Sequence, residues 1–141
     1  MSYYQSEFPI VREDYANAGL VSSRIKSTLK QLGVPPEVLR RIAVACYEAE
    51  INMIIHSHGG TILMEIQDDG TLRLHFNDCG PGIPNLEKAL TPGWSTASEK
   101  AREFGFGAGM GLPNIKRVSD QFDIQTSAKG TQMCLGFHIQ P

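Results

Sequence analysis

The chain has 141 residues, of which 41% are apolar and 20% charged, a composition typical of a folded globular domain rather than a disordered chain. Its 13 basic and 15 acidic side chains give a formal charge of −2, and no polybasic run is present that would bind a nucleic-acid backbone. The length is sufficient for one hydrophobic core. We therefore expect a single domain over residues 1–141 and no nucleic-acid partner.

The start of the chain lacks the basic and then apolar regions of a signal segment, and no stretch reaches the ~18 apolar residues of a membrane span. A cytoplasmic protein without membrane contact is expected. The three cysteines, Cys46, Cys79 and Cys134, are isolated in the sequence and lack metal-type spacing, which favours reduced thiols.

The first part of the chain predicts one strand and two helices. Residues 7–12 alternate as a short strand, and a helix over 14–32 follows, with Asp14 as its cap and Gly33 as its stop signal. Paired prolines open a second helix over 35–57, where apolar residues recur at helical spacing, and two glycines end it.

Next comes a predicted antiparallel hairpin, because residues 61–67 and 71–77 alternate apolar and polar side chains on either side of an Asp-Asp-Gly turn. The segment 79–110 is rich in Gly, Pro, Ser and Thr, with room for a short helix near 85–90. Long loops of this kind in small domains are usually functional. We interpret about 84–110 as a lid.

A third helix over 112–120 and a closing hairpin of strands 122–126 and 131–139 complete the predicted elements. Helices and strands in this order predict an α+β two-layer sandwich, with a mostly antiparallel mixed sheet covered by helices on one face.

The second helix carries a polar stripe, since Glu48, Asn52 and His56 lie four residues apart and project from one side. Taken alone, such residues are ordinary surface positions. A neutral amide oxygen at Asn52 suits Mg²⁺, and Glu48 is placed to accept a proton. Glu50 points elsewhere and is the weaker candidate. His56 and His58 lack a third zinc ligand, so no structural metal is expected.

An acidic residue at a strand end starts the segment Asp78-Cys-Gly-Pro-Gly-Ile83. Ionised Asp78 is an acceptor for an adenine amino group, and Gly80 and Gly82 allow backbone to approach a flat base. A simple turn is the alternative.

Four alternating glycines over 105–112 stand directly before the third helix. Backbone amides freed by glycine and the positive end of a helix together favour phosphate binding. The run lacks the Lys-Ser/Thr of a P-loop and the preceding strand of a dinucleotide fingerprint. A flexible hinge is an equal alternative.

Together these segments resemble the Bergerat-fold ATPases, the superfamily shared by gyrase, the heat-shock chaperone ATPase and histidine-kinase catalytic domains. Residues 48–56 are similar to its asparagine box and 78–83 to its adenine box. Residues 107–112 resemble the phosphate box at the end of the lid, and Gly130-Thr131 the final box, whose threonine supports the adenine contact.

The resemblance implies ATP and Mg²⁺ as ligands, with Glu48 as the catalytic base and Asn52 as the metal ligand. It implies that Asp78 and Thr131 bind adenine. The nucleotide-binding residues that we predict are Asn52, His56, Asp78, Gly80, Gly82, Ile83, Gly105, Gly107, Ala108, Gly109, Met110, Gly111, Leu112 and Thr131.

Within the superfamily, the glutamate one turn before the asparagine and the motif Gly93-Trp-Ser-Thr96 resemble the anti-sigma-factor and switch-protein serine kinases. Members phosphorylate a serine or threonine on a small antagonist protein, which then releases its partner, and they often form homodimers. The resemblance thus implies an antagonist protein as partner, together with a sigma factor or serine phosphatase. Glu50, Met53 and the charged stretch 97–104 depart from the family pattern.

Two other functions stay open. The domain is alternatively a sequestering module that binds ATP with little phosphoryl transfer, or the detached catalytic domain of a histidine kinase. Phosphate on a serine of the antagonist, rather than acid-labile phosphohistidine, distinguishes the kinase prediction from both.

Overall fold

The structure, a computed structural model, describes residues 2–83, 85–91 and 111–139. Its sheet has five strands in the order β1-β2-β3-β5-β4, and every neighbouring pair is antiparallel. The predicted α+β fold is confirmed, but within the described residues the sheet is not mixed. The strands are β1 (Ser2–Ile10), β2 (Gly60–Gln67), β3 (Thr71–Asp78), β4 (Gln121–Ser127) and β5 (Gly130–His138).

The helices occupy the predicted positions, with one exception near the start of the chain. The helix predicted over 14–32 is wrong in its first turn, because Gly19 adopts a left-handed conformation (φ 91°) and separates a 3-10 turn from α1. Asp14 makes no side-chain cap hydrogen bond. The helical elements are the 3-10 turn Tyr15–Asn17, α1 (Leu20–Gln31), α2 (Pro36–His56), α3 (Leu86–Ala89) and α4 (Gly111–Val118).

The core lies between the helices and one face of the sheet. Alternate residues of β2, β3 and β5 are buried, whereas most of the residues between them are half-buried or exposed. α2 packs against both α1 and α4. In the described part of the chain, no helix combines the length and apolar character needed to cross a bilayer. The buried strand residues are Ile62, Met64, Ile66, Leu72, Leu74, Phe76, Met133, Leu135 and Phe137.

A buried carboxylate joins α2 to the start of α1. Glu50 is 1% exposed, and its two oxygens accept hydrogen bonds from the backbone N–H groups of Gly19 (3.0 Å), Val21 (3.3 Å) and Ser22 (2.8 Å). The first N–H groups of a helix have no partner within the helix. Glu50 therefore caps α1 from a distant part of the sequence, and its departure from the family pattern has a structural reason.

Replacing Glu50 with alanine is expected to lower the free energy of unfolding by about 3 kcal/mol, because it leaves three N–H groups without their acceptor. Urea denaturation measures this loss. Glu37→Ala is the matched control, since Glu37 lies exposed in the first turn of α2 and contributes at most about 1 kcal/mol through the helix dipole. Equal denaturation midpoints for the two variants would contradict the capping role.

Candidate functional site

The carboxylate of Asp78 lies at the carboxyl end of β3 and organises the loop that follows. Its Oδ1 accepts hydrogen bonds from the backbone N–H groups of Gly80 and Thr131, both at 3.0 Å. Neither bond uses Oδ2. The half-buried side chain is thereby fixed in one orientation, with its second oxygen available as an acceptor for a ligand.

Gly80 and Gly82 allow the acidic loop to lie against the hairpin of β4 and β5. Both have positive φ angles, 110° and 88°. A Cβ on Gly82 would overlap the carbonyl oxygen of Ser127, and one on Gly80 would lie 3.1 Å from the carbonyl oxygen of Ala128. The close approach that these glycines permit in the structure is therefore to the hairpin backbone.

Thr126 on β4 links this loop to Thr131 and was not predicted from the sequence. Its Oγ1 accepts a hydrogen bond from the backbone N–H of Ile83 (2.8 Å) and shares another with Oγ1 of Thr131 (2.9 Å). The two threonines are paired across the closing hairpin, and threonines in such positions commonly hydrogen-bond. The predicted hairpin register was the signal that would have identified Thr126.

The end of α2 is hydrogen-bonded to the same loop. The backbone N–H of His58 donates to the carbonyl oxygen of Gly80 (2.8 Å), and that of Cys79 donates to the carbonyl oxygen of Gly59 (3.0 Å). These two bonds hold the last turn of α2, which carries His56, beside the loop of Asp78.

The polar stripe of α2 lies on a partly accessible side of the helix. Glu48, Asn52 and His56 are all half-buried, whereas Ala49 and Met53 are buried in the core. Burial raises the pKa of the Glu48 carboxyl and lowers the pKa of the His56 imidazole. Glu48 is therefore a stronger base than an ordinary surface glutamate, and His56 is neutral at neutral pH.

Asn52 lies directly against the start of α4. A Cβ added to Gly111 would be 3.0 Å from Nδ2 and 3.1 Å from Oδ1 of Asn52. The structure thus brings the predicted metal ligand next to the last glycine of the predicted phosphate segment, at a helix end that favours negative charge. Leu112 follows as a buried residue of α4.

Arg41, which the sequence did not single out, holds the other end of α4. Its Nη1 donates to the carbonyl oxygen of Val118 (2.9 Å) and to Oδ1 of Asp120 (3.2 Å). The guanidinium also lies 5.9 Å from the centre of the Phe137 ring. Because α2 contacts both ends of α4, the two helices run antiparallel and the helix start stays beside Asn52.

Several predicted site residues lie outside the described residues: Gly105, Gly107, Ala108, Gly109 and Met110, together with the motif 93–96, the stretch 97–104 and most of the predicted lid. The described residues fall into two groups. Asp78, Thr131 and the glycine loop present acceptors suited to a base, and Asn52 with the start of α4 is suited to phosphate and its cation. Both groups are of the kind that nucleotide-binding domains use.

Residues 11–137 match the model of the histidine kinase-like ATPase domain, and the chain belongs to this family. It is 32% identical to the serine/threonine-protein kinase RsbT of Bacillus subtilis over 112 residues, covering 77% of this chain and 78% of that protein. It is 29% identical to the anti-sigma F factor of Geobacillus kaustophilus over 129 residues, covering 87% and 85% of the two chains. The resemblance inferred from the sequence motifs is confirmed.

Solved structures share the fold. The structure of the RsbU and RsbW domains of a Mycobacterium tuberculosis protein is similar with a TM-score of 0.64 at 17% identity, covering 96% of this chain and 33% of that one. The SiaB-SiaC complex from Pseudomonas aeruginosa is similar with a TM-score of 0.56 at 13% identity, covering 96% and 89%.

Proposed function

We propose that the protein is an ATP-dependent protein serine/threonine kinase that acts as an anti-sigma or switch regulator, phosphorylating a small antagonist protein. The observation that carries the proposal is the stripe of α2: Glu48, with its raised pKa, stands one turn before Asn52, whose amide lies against the start of α4. In this proposal Glu48 is the base beside the phosphate end of the site. The names of the kinase and anti-sigma relatives support the same function.

In this proposal, ATP and its product ADP bind with the adenine amino group on Asp78, assisted by Thr131, and with Gly80, Gly82 and Ile83 as further binding residues. The fixed orientation of the Asp78 carboxylate fits this role, because its Oδ1 is already occupied by two backbone N–H groups. We assign the start of α4 at Gly111 and Leu112 to the phosphate end, together with residues 105–110 as part of a lid over about 84–110.

Asn52 is the proposed ligand of Mg²⁺, which neutralises phosphate charge when it is bound. Glu48 orients the hydroxyl of the target serine and takes its proton, and burial places its pKa nearer to the working pH of the reaction. His56, neutral and one turn beyond Asn52, lines the nucleotide side of the helix.

The proposed partner is an antagonist protein that carries the target serine or threonine, with a sigma factor or serine phosphatase as the third component and a homodimer as the assembly. We propose that residues 1–141 form a single domain. A cytoplasmic location stays a prediction of the sequence.

Transfer of labelled γ-phosphate from ATP to a candidate antagonist domain tests the proposed function. We expect acid-stable phosphoserine or phosphothreonine on the antagonist, dependent on Mg²⁺. Binding of ATP and of the antagonist without transfer would favour the sequestering module instead, and acid-labile phosphohistidine would favour a detached histidine-kinase domain.

Thr126→Val is expected to weaken ATP binding about tenfold, because it removes the acceptor for the Ile83 N–H and the partner of the Thr131 hydroxyl. Calorimetric titration of nucleotide-free protein measures the change. Thr126→Ser keeps the hydroxyl and should retain most of the affinity. Equal affinities for the valine and serine variants would show that these hydrogen bonds do not support the site.

A further inference from the structure

Three ionisable side chains lie together on the face of the sheet opposite the helices. Glu65, His75 and Cys134 are on the adjacent strands β2, β3 and β5, and all three are half-buried. His75 is the register partner of Cys134. The nucleotide-binding candidates are Asp78, three positions after His75 on β3, and Thr131, three positions before Cys134 on β5. Because successive side chains of a strand point to opposite faces, an odd separation puts both candidates on the other face. The proposed kinase site uses none of the three.

The three side chains form a connected chain. Oε1 of Glu65 lies 3.6 Å from Nε2 of His75, with the two side chains 19% and 28% exposed, and His75 lies directly opposite Cys134 across β3 and β5. Oε2 of Glu65 accepts a hydrogen bond from Nε2 of Gln5 (2.8 Å). The carboxylate is thus oriented from β1, and it in turn orients the histidine.

A nucleophile, a base within hydrogen-bond reach and a third group that orients the base are the arrangement that activates a thiol. Interaction with His75 lowers the pKa of the Cys134 thiol, and Arg73 lowers it further. Interaction with Cys134, followed by Glu65, raises the pKa of His75. Both shifts favour the thiolate–imidazolium pair. Asp123, the register partner of Cys134 on β4, is the acidic group on its other side.

The other two cysteines differ from Cys134. Cys46 is buried in the core, and burial raises the pKa of its thiol. Cys79 is more exposed than Cys134 and follows Asp78 in the nucleotide loop. Thiol reactivity depends on the thiolate fraction as well as on solvent access. Cys79 is therefore a control for Cys134: it has the greater access, whereas His75 lies opposite Cys134.

We propose that Cys134, with His75 as its base and Glu65 orienting that base, is a modification site that undergoes thiol–disulfide exchange with low-molecular-weight disulfides. The Cys134 proton moves to His75, and the thiolate sulfur attacks one sulfur of the disulfide R–S–S–R. A bond forms between Sγ and that sulfur while the original S–S bond breaks, and R–S⁻ leaves with its electron pair. Protonated His75 returns the proton to the leaving thiolate.

The product is a mixed disulfide on the open face of the sheet, and the small disulfide is the oxidant. The modification does not require nucleotide, because Asp78, Thr131 and the helices lie on the other face. The modification of Cys134 can therefore be tested independently of the kinase activity.

The test uses the full chain and 2-hydroxyethyl disulfide as the probe, with intact mass measured over time and the adduct located by peptide mapping. Cys79→Ser leaves Cys134 as the accessible thiol, and Cys134→Ser leaves Cys79. We expect the first variant to be modified about tenfold faster than the second at pH 7, although its thiol is the less exposed. Equal rates, or faster modification of Cys79, would overturn the proposal.

His75→Asn in the Cys79→Ser background separates base activation from simple access. We expect about tenfold slower modification at pH 7 and a pH–rate midpoint shifted upward, because the asparagine amide accepts no proton. Glu65→Gln should shift the midpoint less in the same direction. Thermal unfolding of each variant checks that the fold is retained. An unchanged rate and midpoint for His75→Asn would remove His75 from the mechanism and overturn the proposed site.

Discussion

Glu48→Gln is expected to lower phosphoryl transfer to the antagonist by about 100- to 10,000-fold while leaving ATP affinity nearly unchanged. Glutamine keeps the length of the side chain and its place on the accessible side of α2, but its amide does not take a proton from a serine hydroxyl. The binding end at Asp78 is not altered by this change. Single-turnover transfer of labelled phosphate and calorimetric ATP titration measure the two quantities separately.

The pH dependence of transfer gives a second readout of Glu48. A base must be ionised, so the wild-type rate should fall as the pH drops through the pKa of Glu48. Because burial raises this pKa, the acid limb of the pH–rate profile should lie at a higher pH than for an ordinary glutamate. The residual rate of Glu48→Gln should lack that limb. Glu37→Gln, at an exposed position in the first turn of α2, is the control and should behave as wild type. Full activity of Glu48→Gln would refute its role as the base.

Asp78→Asn is expected to weaken ATP binding by about 100-fold or more, since the new amide NH₂ donor would face the adenine amino donor. The amide oxygen still accepts from the N–H groups of Gly80 and Thr131, which now bond to Oδ1. The other position, an acceptor in the carboxylate, becomes an NH₂ group. The loss should therefore appear in nucleotide affinity rather than in folding.

Calorimetry of nucleotide-free protein measures this loss, and thermal unfolding without nucleotide checks that the fold is intact. Asp68→Asn is the matched control, because it makes the same chemical change at an exposed position in the turn between β2 and β3. An Asp78→Asn variant that folds and binds ATP as tightly as the control would contradict the adenine role.

The helices, the strands and the polar stripe of α2 were predictable because each depends on a pattern of neighbouring residues. Helical spacing placed Glu48, Asn52 and His56 on one side of α2, and period-two alternation predicted both hairpins. The break at Gly19 was missed, since apolar spacing continues across it and a glycine at the end of a turn resembles one inside a helix. The predicted Asp14 cap failed for the same reason.

Contacts between distant segments were not predictable in this way. Glu50 caps α1 across about 30 positions, and Arg41 reaches Val118 and Asp120 across nearly 80. Neither has a local pattern, because Glu50 accepts from backbone N–H groups and Arg41 donates to a backbone carbonyl and to a carboxylate that are distant in sequence. The hint available for Glu50 was a charged residue on a side of α2 away from the polar stripe, and it does not identify the partner.

Side chains alternate between the two faces of β3 and β5. An insertion or deletion of an odd number of residues therefore moves the following side chains to the opposite face. Removal of one residue between His75 and Asp78 would turn the Asp78 carboxylate to the face opposite the helices. Insertions are thus expected to be tolerated at the turn 68–70 and rejected within the strands, where adding one residue exchanges the two surfaces.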